Sequence, residues 1–132
     1  MKSSAIRIPY VNIQKQWLDE RDELLPIIDK VFASAQFVGG EEIDKFEENI
    51  AKFCETMYAV GVGSGTDAIY LSLLSLGIGP NDEVITAPNS FVATAWVIAR
   101  TGARIVFCDV GDDMNIDPDL IESVISEHTK AI

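Results

Sequence analysis

The stretch Met57-Tyr58-Ala59-Val60-Gly61-Val62-Gly63-Ser64-Gly65-Thr66-Asp67-Ala68 decides the fold class. Met57–Val62 is a short apolar run rich in β-formers, and Gly61, Gly63 and Gly65 punctuate its end. A helical pattern opens at Thr66 and runs to Leu76, where Gly77 closes it. A strand entering a glycine-rich turn, with a helix leaving it, is the opening of a βα unit. The alternation repeats downstream. Glu83–Ala87 reads as a strand, Phe91–Thr101 as a helix closed by Gly102, and Arg104–Val110 as a third strand. Asp117 and Pro118 supply an N-cap and an N1 proline for a helix to about Glu127, and Lys130–Ile132 reads as the opening of a fourth strand. Strands and helices alternating at this spacing predict an α/β fold built on a mostly parallel sheet with crossover helices.

Upstream the character is helical. Residues 1–13 read as an extended arm, because Pro9 biases its predecessor away from helix. From Gln14 to Ala35, apolar residues fall at Trp17, Leu24, Ile28, Val31 and Phe32, a helical stripe expected to break or bend near Pro26. After Gly39-Gly40, Glu41–Glu55 reads as a second helix with Ile43, Phe46, Ile50 and Phe53 on one face and acids at its start, where the helix dipole favours them. The predicted organisation is therefore an arm with helices over residues 1–56 and the first part of an α/β domain over 57–132. The sequence stops at Ile132, on what reads as a buried strand, where a terminal carboxylate does not belong; the expectation is the N-terminal piece of a longer protein.

The 132 residues are 48% hydrophobic and 23% charged, which excludes disorder and coiled coil and permits a real core. Ten Lys+Arg against 21 Asp+Glu give a net charge of −11, an argument against nucleic acid or an anionic membrane as the main partner. An anionic ligand must then be held by local backbone donors and helix ends. No stretch approaches the roughly 20 apolar residues of a membrane span, and MKSSAIRIPYVN contains no apolar signal-peptide segment, so the expected location is cytoplasmic. Cys54 and Cys108 match neither a disulfide framework nor a zinc pattern and read as buried thiols.

Two segments carry candidate chemistry. In Gly61–Ala68 the strand-to-helix turn aims free N–H groups and the positive end of the helix dipole at one spot, which suits a phosphate, and Ser64 and Thr66 add hydroxyls. The alternative is simple chain reversal with Ser64 as an N-cap. A P-loop is excluded because no lysine lies between Lys52 and Lys130. A Rossmann fingerprint fails because Thr66 stands at the third glycine position, and Asp82 and Glu83 come before a strand instead of ending one. The second segment is Pro88–Ala95, at the C-terminal end of a strand, the edge where ligands collect in open α/β sheets. There Phe91 could lie flat on a ring anchored by its phosphate in the glycine turn, but for an isolated phenylalanine the reading from the residue alone is an early core residue of its helix. His128, the only histidine, is explained by a position near a helix C-terminus, Trp17 and Trp96 by packing, Asp109 by loop capping, and the acids of 41–55 by a solvated helix face.

In order along the chain stand Ile8-Pro9-Tyr10, Gly39-Gly40-Glu41 to Phe46-Glu47, Ser64-Gly65-Thr66, Leu76 to Ile85, Pro88 to Thr94, Gly102 to Asp109, and Asn115 to Pro118 ending in Thr129-Lys130-Ala131-Ile132. This succession resembles the DegT/DnrJ/StrS-type sugar-nucleotide aminotransferases, pyridoxal phosphate enzymes of fold type I, over essentially the whole chain. Asn81 stands where that family usually has glycine, and both residues tolerate a left-handed turn.

The resemblance implies the first part of a fold type I large domain. Gly65, Thr66 and Asp67 would hold the cofactor phosphate, and Phe91 would stack on the pyridine ring. The region Phe37–Gly40 would approach the sugar nucleotide. The family's ring-nitrogen aspartate and cofactor-binding lysine come later than Ile132, so the resemblance implies no catalytic residue within this chain and no metal. The implied reaction converts a nucleotide-linked keto sugar to an amino sugar with an amino-acid donor, in a homodimer. Two alternatives stay open: a dehydratase of the same fold, and a catalytically incomplete fragment that at most binds phosphate weakly.

Overall fold

The computed structural model describes residues 8–132; residues 1–7 of the expected arm lie outside the described residues. The chain divides into two units, one ending at Val60 and one running Gly61–Ile132.

The first unit holds two helices. Helix α1 spans Ile13–Ser34, capped by Asn12, whose side chain accepts from the Lys15 N–H at 3.1 Å, and it ends on Ala35 in a left-handed conformation. It runs through Pro26 without a break. A proline removes only its own N–H, and on so exposed a helix water can satisfy the carbonyl one turn back. Helix α2 spans Glu41–Phe53, starting from Gly40 at φ +103°. The Lys30 ammonium meets the Glu42 carboxylate at 3.0 Å across the intervening turn, and Glu41 pairs with Lys45 one turn along. The acids of this segment thus form the solvated face expected of them. Cys54, the C-cap of α2, is exposed, correcting the expectation of two buried thiols; Cys108 is buried.

The second unit is α/β. Helix α3 spans Gly65–Ser75, strand β1 Glu83–Thr86, helix α4 Val92–Thr101, strand β2 Arg104–Phe107, helix α5 Pro118–Val124 and strand β3 Thr129–Ala131. The sheet has the order β2-β1-β3 and both pairings are parallel, with Val84 opposite Ile105 and Ala131. Central β1 explains its own burial: Val84 and Ile85 are shielded on both faces. Leu73 of α3, Val97 and Ile98 of α4, Val84, Ile78 and Ala103 form the core between these helices and the sheet. Gly77 and Gly102 close their helices at positive φ, as expected, and Asn81 takes the left-handed turn at φ +77°.

Three expectations fail along this part of the chain. Met57–Val62, which spans the boundary of the two units, forms no strand, and Met57 is 86% exposed. A β-rich composition fits a pleated surface only within a ladder, and this run is in no strand of the sheet. Strand β2 ends at Phe107, leaving Val110 in an isolated antiparallel bridge to Ile116. Helix α5 ends at Val124, so His128 lies beyond it in the turn that leads to β3 and is not a helix-end charge. Trp96 is half exposed and shares the Arg100 guanidinium with Tyr70, the cation lying 5.2 Å and 4.5 Å from the two rings.

The N-terminal edge of the sheet is locked by a buried carboxylate, that of Glu83, the acid whose place before a strand argued against a Rossmann fingerprint. Glu83 is 3% exposed; its Oε1 accepts from the Arg104 guanidinium and its Oε2 from the Ser126 hydroxyl at 2.7 Å. Its own N–H donates to the His128 carbonyl at 2.8 Å. One residue on the central strand thereby ties down both neighbours.

Candidate functional site

The opposite, C-terminal edge of the sheet is where the candidate residues gather. Ser64, in extended conformation, caps α3: its Oγ accepts from the Asp67 N–H at 3.1 Å and donates to Asp67 Oδ2 at 3.0 Å. Asp67 is therefore spoken for at its amide, and its carboxylate is turned back on Ser64. The N–H groups of Gly65 and Thr66 lie in the first turn, where an α-helix provides no acceptor of its own. Gly65 is not at positive φ, and a Cβ built on it would meet no atom within 4 Å. Neither backbone conformation nor crowding demands a glycine there. The space above the first turn is open, and an anion could approach the backbone as closely as only glycine permits. The residues present thus fit a phosphate, with Gly65 and Thr66 as donors and Asp67 in a supporting place.

Phe91 occupies the N-cap position of α4 and is 76% exposed. It is not an early core residue of its helix; the core positions of α4 are Val97 and Ile98. Ile69 of α3 and Thr94 of α4 line one small cavity of about 130 Å³ together with Thr86 at the end of β1. Beside it a cleft of about 520 Å³ is lined by Thr86, Asn89, Ser90, Met114 and Ile116. The Asn89 side chain donates to the Met114 carbonyl at 2.9 Å, joining the loops after β1 and β2 across this edge. Asp109 caps its own loop, accepting from the Val110 N–H at 2.8 Å. Asp82 and Glu83 sit at the far end of β1; Asp82 accepts from the Gly79 N–H at 2.9 Å.

In the other unit, Phe37 packs edge-on against Phe32 with ring centroids 5.3 Å apart, and the turn from Gln36 to Gly40 borders a cavity of about 310 Å³. Lys30 and Glu42 at its rim shift each other's ionisation, mainly through their hydrogen bond: the lysine is raised above 10.5 and the glutamate lowered below 4.5. Among the described residues no group of His, Cys, Asp and Glu is arranged to hold a metal ion, and no helix is long and apolar enough to cross a membrane.

Comparison with known proteins supplies the context for this geometry. The chain is 38% identical over 128 residues to a pleiotropic regulatory protein of Geobacillus stearothermophilus, covering 96% of this chain and 34% of that one. It is 37% identical over 132 residues to a dTDP-3-amino-3,4,6-trideoxy-alpha-D-glucose transaminase of Streptomyces venezuelae, covering 99% and 35% respectively. Among solved structures, that of NtdA from Bacillus subtilis with bound cofactor PMP superposes with a TM-score of 0.89 at 31% identity, over 98% of this chain and 30% of that one. The chain thus spans about a third of the length of the relatives it matches. The sequence profile of the DegT/DnrJ/EryC1/StrS aminotransferases matches residues 18–132, and the chain belongs to that family.

Proposed function

We propose that this chain is the N-terminal portion of a pyridoxal phosphate-dependent aminotransferase that converts a nucleotide-linked keto sugar to an amino sugar with an amino-acid donor. The observation that carries the reading is an α3 that starts on an uncrowded glycine, in a chain whose Phe91 stands exposed just ahead of α4. In this reading the Gly65 and Thr66 N–H groups hold the cofactor phosphate, Asp67 steadies the turn through Ser64, and Phe91 lies against the ring. When bound, the cofactor supplies an electron sink and a carrier for the amino group. The residues of this chain orient it, and orientation lowers the barrier by fixing reacting groups in place. The Phe37–Gly40 turn is assigned to the sugar nucleotide, the 57–132 region to the start of the cofactor-binding domain, and the assembled protein to a cytoplasmic homodimer. The names of the relatives favour this substrate class: one is a dTDP-amino-sugar transaminase and another, in Pseudomonas aeruginosa, a UDP-2-acetamido-2-deoxy-3-oxo-D-glucuronate aminotransferase.

The test is an assay of a protein carrying this chain as its N-terminal portion, given a dTDP- or UDP-linked keto sugar, glutamate and pyridoxal phosphate. Formation of amino sugar with matching 2-oxoglutarate release is the expected result. Loss of a sugar hydroxyl without nitrogen transfer would replace the reading with a dehydratase.

A further inference from the structure

Resting on the cofactor site proposed above, we propose that Asn89 is a positioning residue for Phe91, setting the ring-stacking aromatic by anchoring its loop to the loop that follows β2. Phe91 has no packing of its own to fix it: it is largely exposed, stands outside α4 and makes no side-chain cap. What fixes it must act through its neighbours. On its helix side, the Ser90 and Thr94 hydroxyls lie 3.2 Å apart, and the Thr94 N–H donates to the Phe91 carbonyl at 3.0 Å. On its strand side, the only link out of the local turn among the side-chain bonds described for residues 88–91 is Asn89 Nδ2 to the Met114 carbonyl, 25 residues away in sequence.

The acceptor is itself held in place. Met114 adopts φ +65°, a left-handed conformation that an unbranched apolar side chain enters at a cost. A tight turn holds it there: the Met114 N–H donates to the Gly111 carbonyl and the Gly111 N–H to the Asn115 carbonyl, both at 2.9 Å. Asp113 clamps the turn by accepting from both the backbone and side-chain N–H groups of Asn115 at 3.0 Å. The strained residue therefore presents its carbonyl to Asn89 from a braced frame. Asn89 and Met114 also line the same cleft at the end of β1, and Ser90, the neighbour of Phe91, lines it with them. Being exposed, this hydrogen bond adds little to the stability of the fold. Its removal should therefore be read in the geometry of Phe91 and not in unfolding.

The experiment compares the chain with its Asn89→Ala and Asn89→Gln variants, first without ligand and then with two probes, inorganic phosphate and pyridoxal phosphate. Without ligand, side-chain relaxation of labelled Phe91 should show a ring that gains rotamer averaging in Asn89→Ala and recovers order in Asn89→Gln, which keeps an amide donor. With ligand, Asn89→Ala should bind inorganic phosphate as the parent does and pyridoxal phosphate about two- to threefold more weakly, the low end of what one hydrogen bond contributes. An unchanged Phe91 ring in Asn89→Ala overturns the assignment whatever the ligands do. Equal weakening of both probes overturns it as well, because Asn89 would then serve the phosphate or the fold. A parent chain that binds neither probe speaks against the cofactor site, while the ligand-free arm still decides the role of Asn89.

Discussion

The two edges of the sheet are built on opposite principles. At the N-terminal edge, Glu83 sits buried with both carboxylate oxygens satisfied, joined to β2 through Arg104 and to the approach of β3 through Ser126. At the C-terminal edge Phe91 is exposed, and a Cβ built on Gly65 at the start of α3 would meet no atom within 4 Å. The first edge uses its polar groups to hold the fold together. The second keeps first-turn N–H groups of α3 without a helical acceptor, as a ligand site requires. Substitutions at the two edges should therefore separate stability from binding.

The largest stability effect is expected from Glu83→Ala. It strips the acceptor from Arg104 and Ser126 at once and should cost about 1–3 kcal/mol; the estimate stays below the usual figure for a broken buried pair because Arg104 is itself largely exposed. Chemical denaturation checks it, and a change under 0.5 kcal/mol would erase the contrast between the edges. Ser64→Ala comes next. It removes the α3 cap and should cost about 1 kcal/mol. Because it also releases Asp67, it should disorder the first turn of α3, visible as faster amide exchange there. Phe91→Ala should change stability by no more than about 0.5 kcal/mol, yet weaken pyridoxal phosphate by roughly three- to tenfold through lost stacking. A large loss of stability would return Phe91 to the core and break the comparison from the other side.

The smallest effect concerns acid. The Asn115 side-chain hydrogen bond, followed by its backbone N–H, holds Asp113 below its ordinary value of 3.8. A carboxylate with a depressed folded value contributes stability that is present above the unfolded value and is lost as pH falls through the folded one. The turn bearing Met114 should stay intact at neutral pH and loosen only as pH falls below the ordinary 3.8, on titration of Asp113. A carboxyl chemical-shift titration follows it directly; a midpoint at or above 3.8 would show that the clamp is not closed.

Much of this arrangement was legible in the sequence, where the local signal also governs the structure. Gly77, Gly102 and Asn81 stop or turn the chain by left-handed geometry, and Asp117-Pro118 starts α5 as its composition dictates. Glycine spacing and a serine cap located the α3 turn, and the position of Phe91 after a strand placed it at the ligand edge. What was not legible depends on partners distant in sequence. Met57–Val62 has strand composition, but a strand exists only in a ladder. Glu83 reads in the sequence only as an acid at the start of a strand; its burial follows from register, which sets it opposite Arg104. The bond from Asn89 to Met114 required knowing that the loops after β1 and β2 meet, and Met114 at positive φ carries no sequence signal at all.

The most direct test of the central assignment is an amide-resolved NMR titration of the chain with pyridoxal phosphate. The Gly65 and Thr66 amides should show the largest shifts, inorganic phosphate should move the same two resonances, and the Phe91 ring should respond to pyridoxal phosphate alone. Shifts that leave Gly65 and Thr66 unmoved while pyridoxal phosphate binds elsewhere would contradict the account, because the start of α3 would then be a plain helix cap.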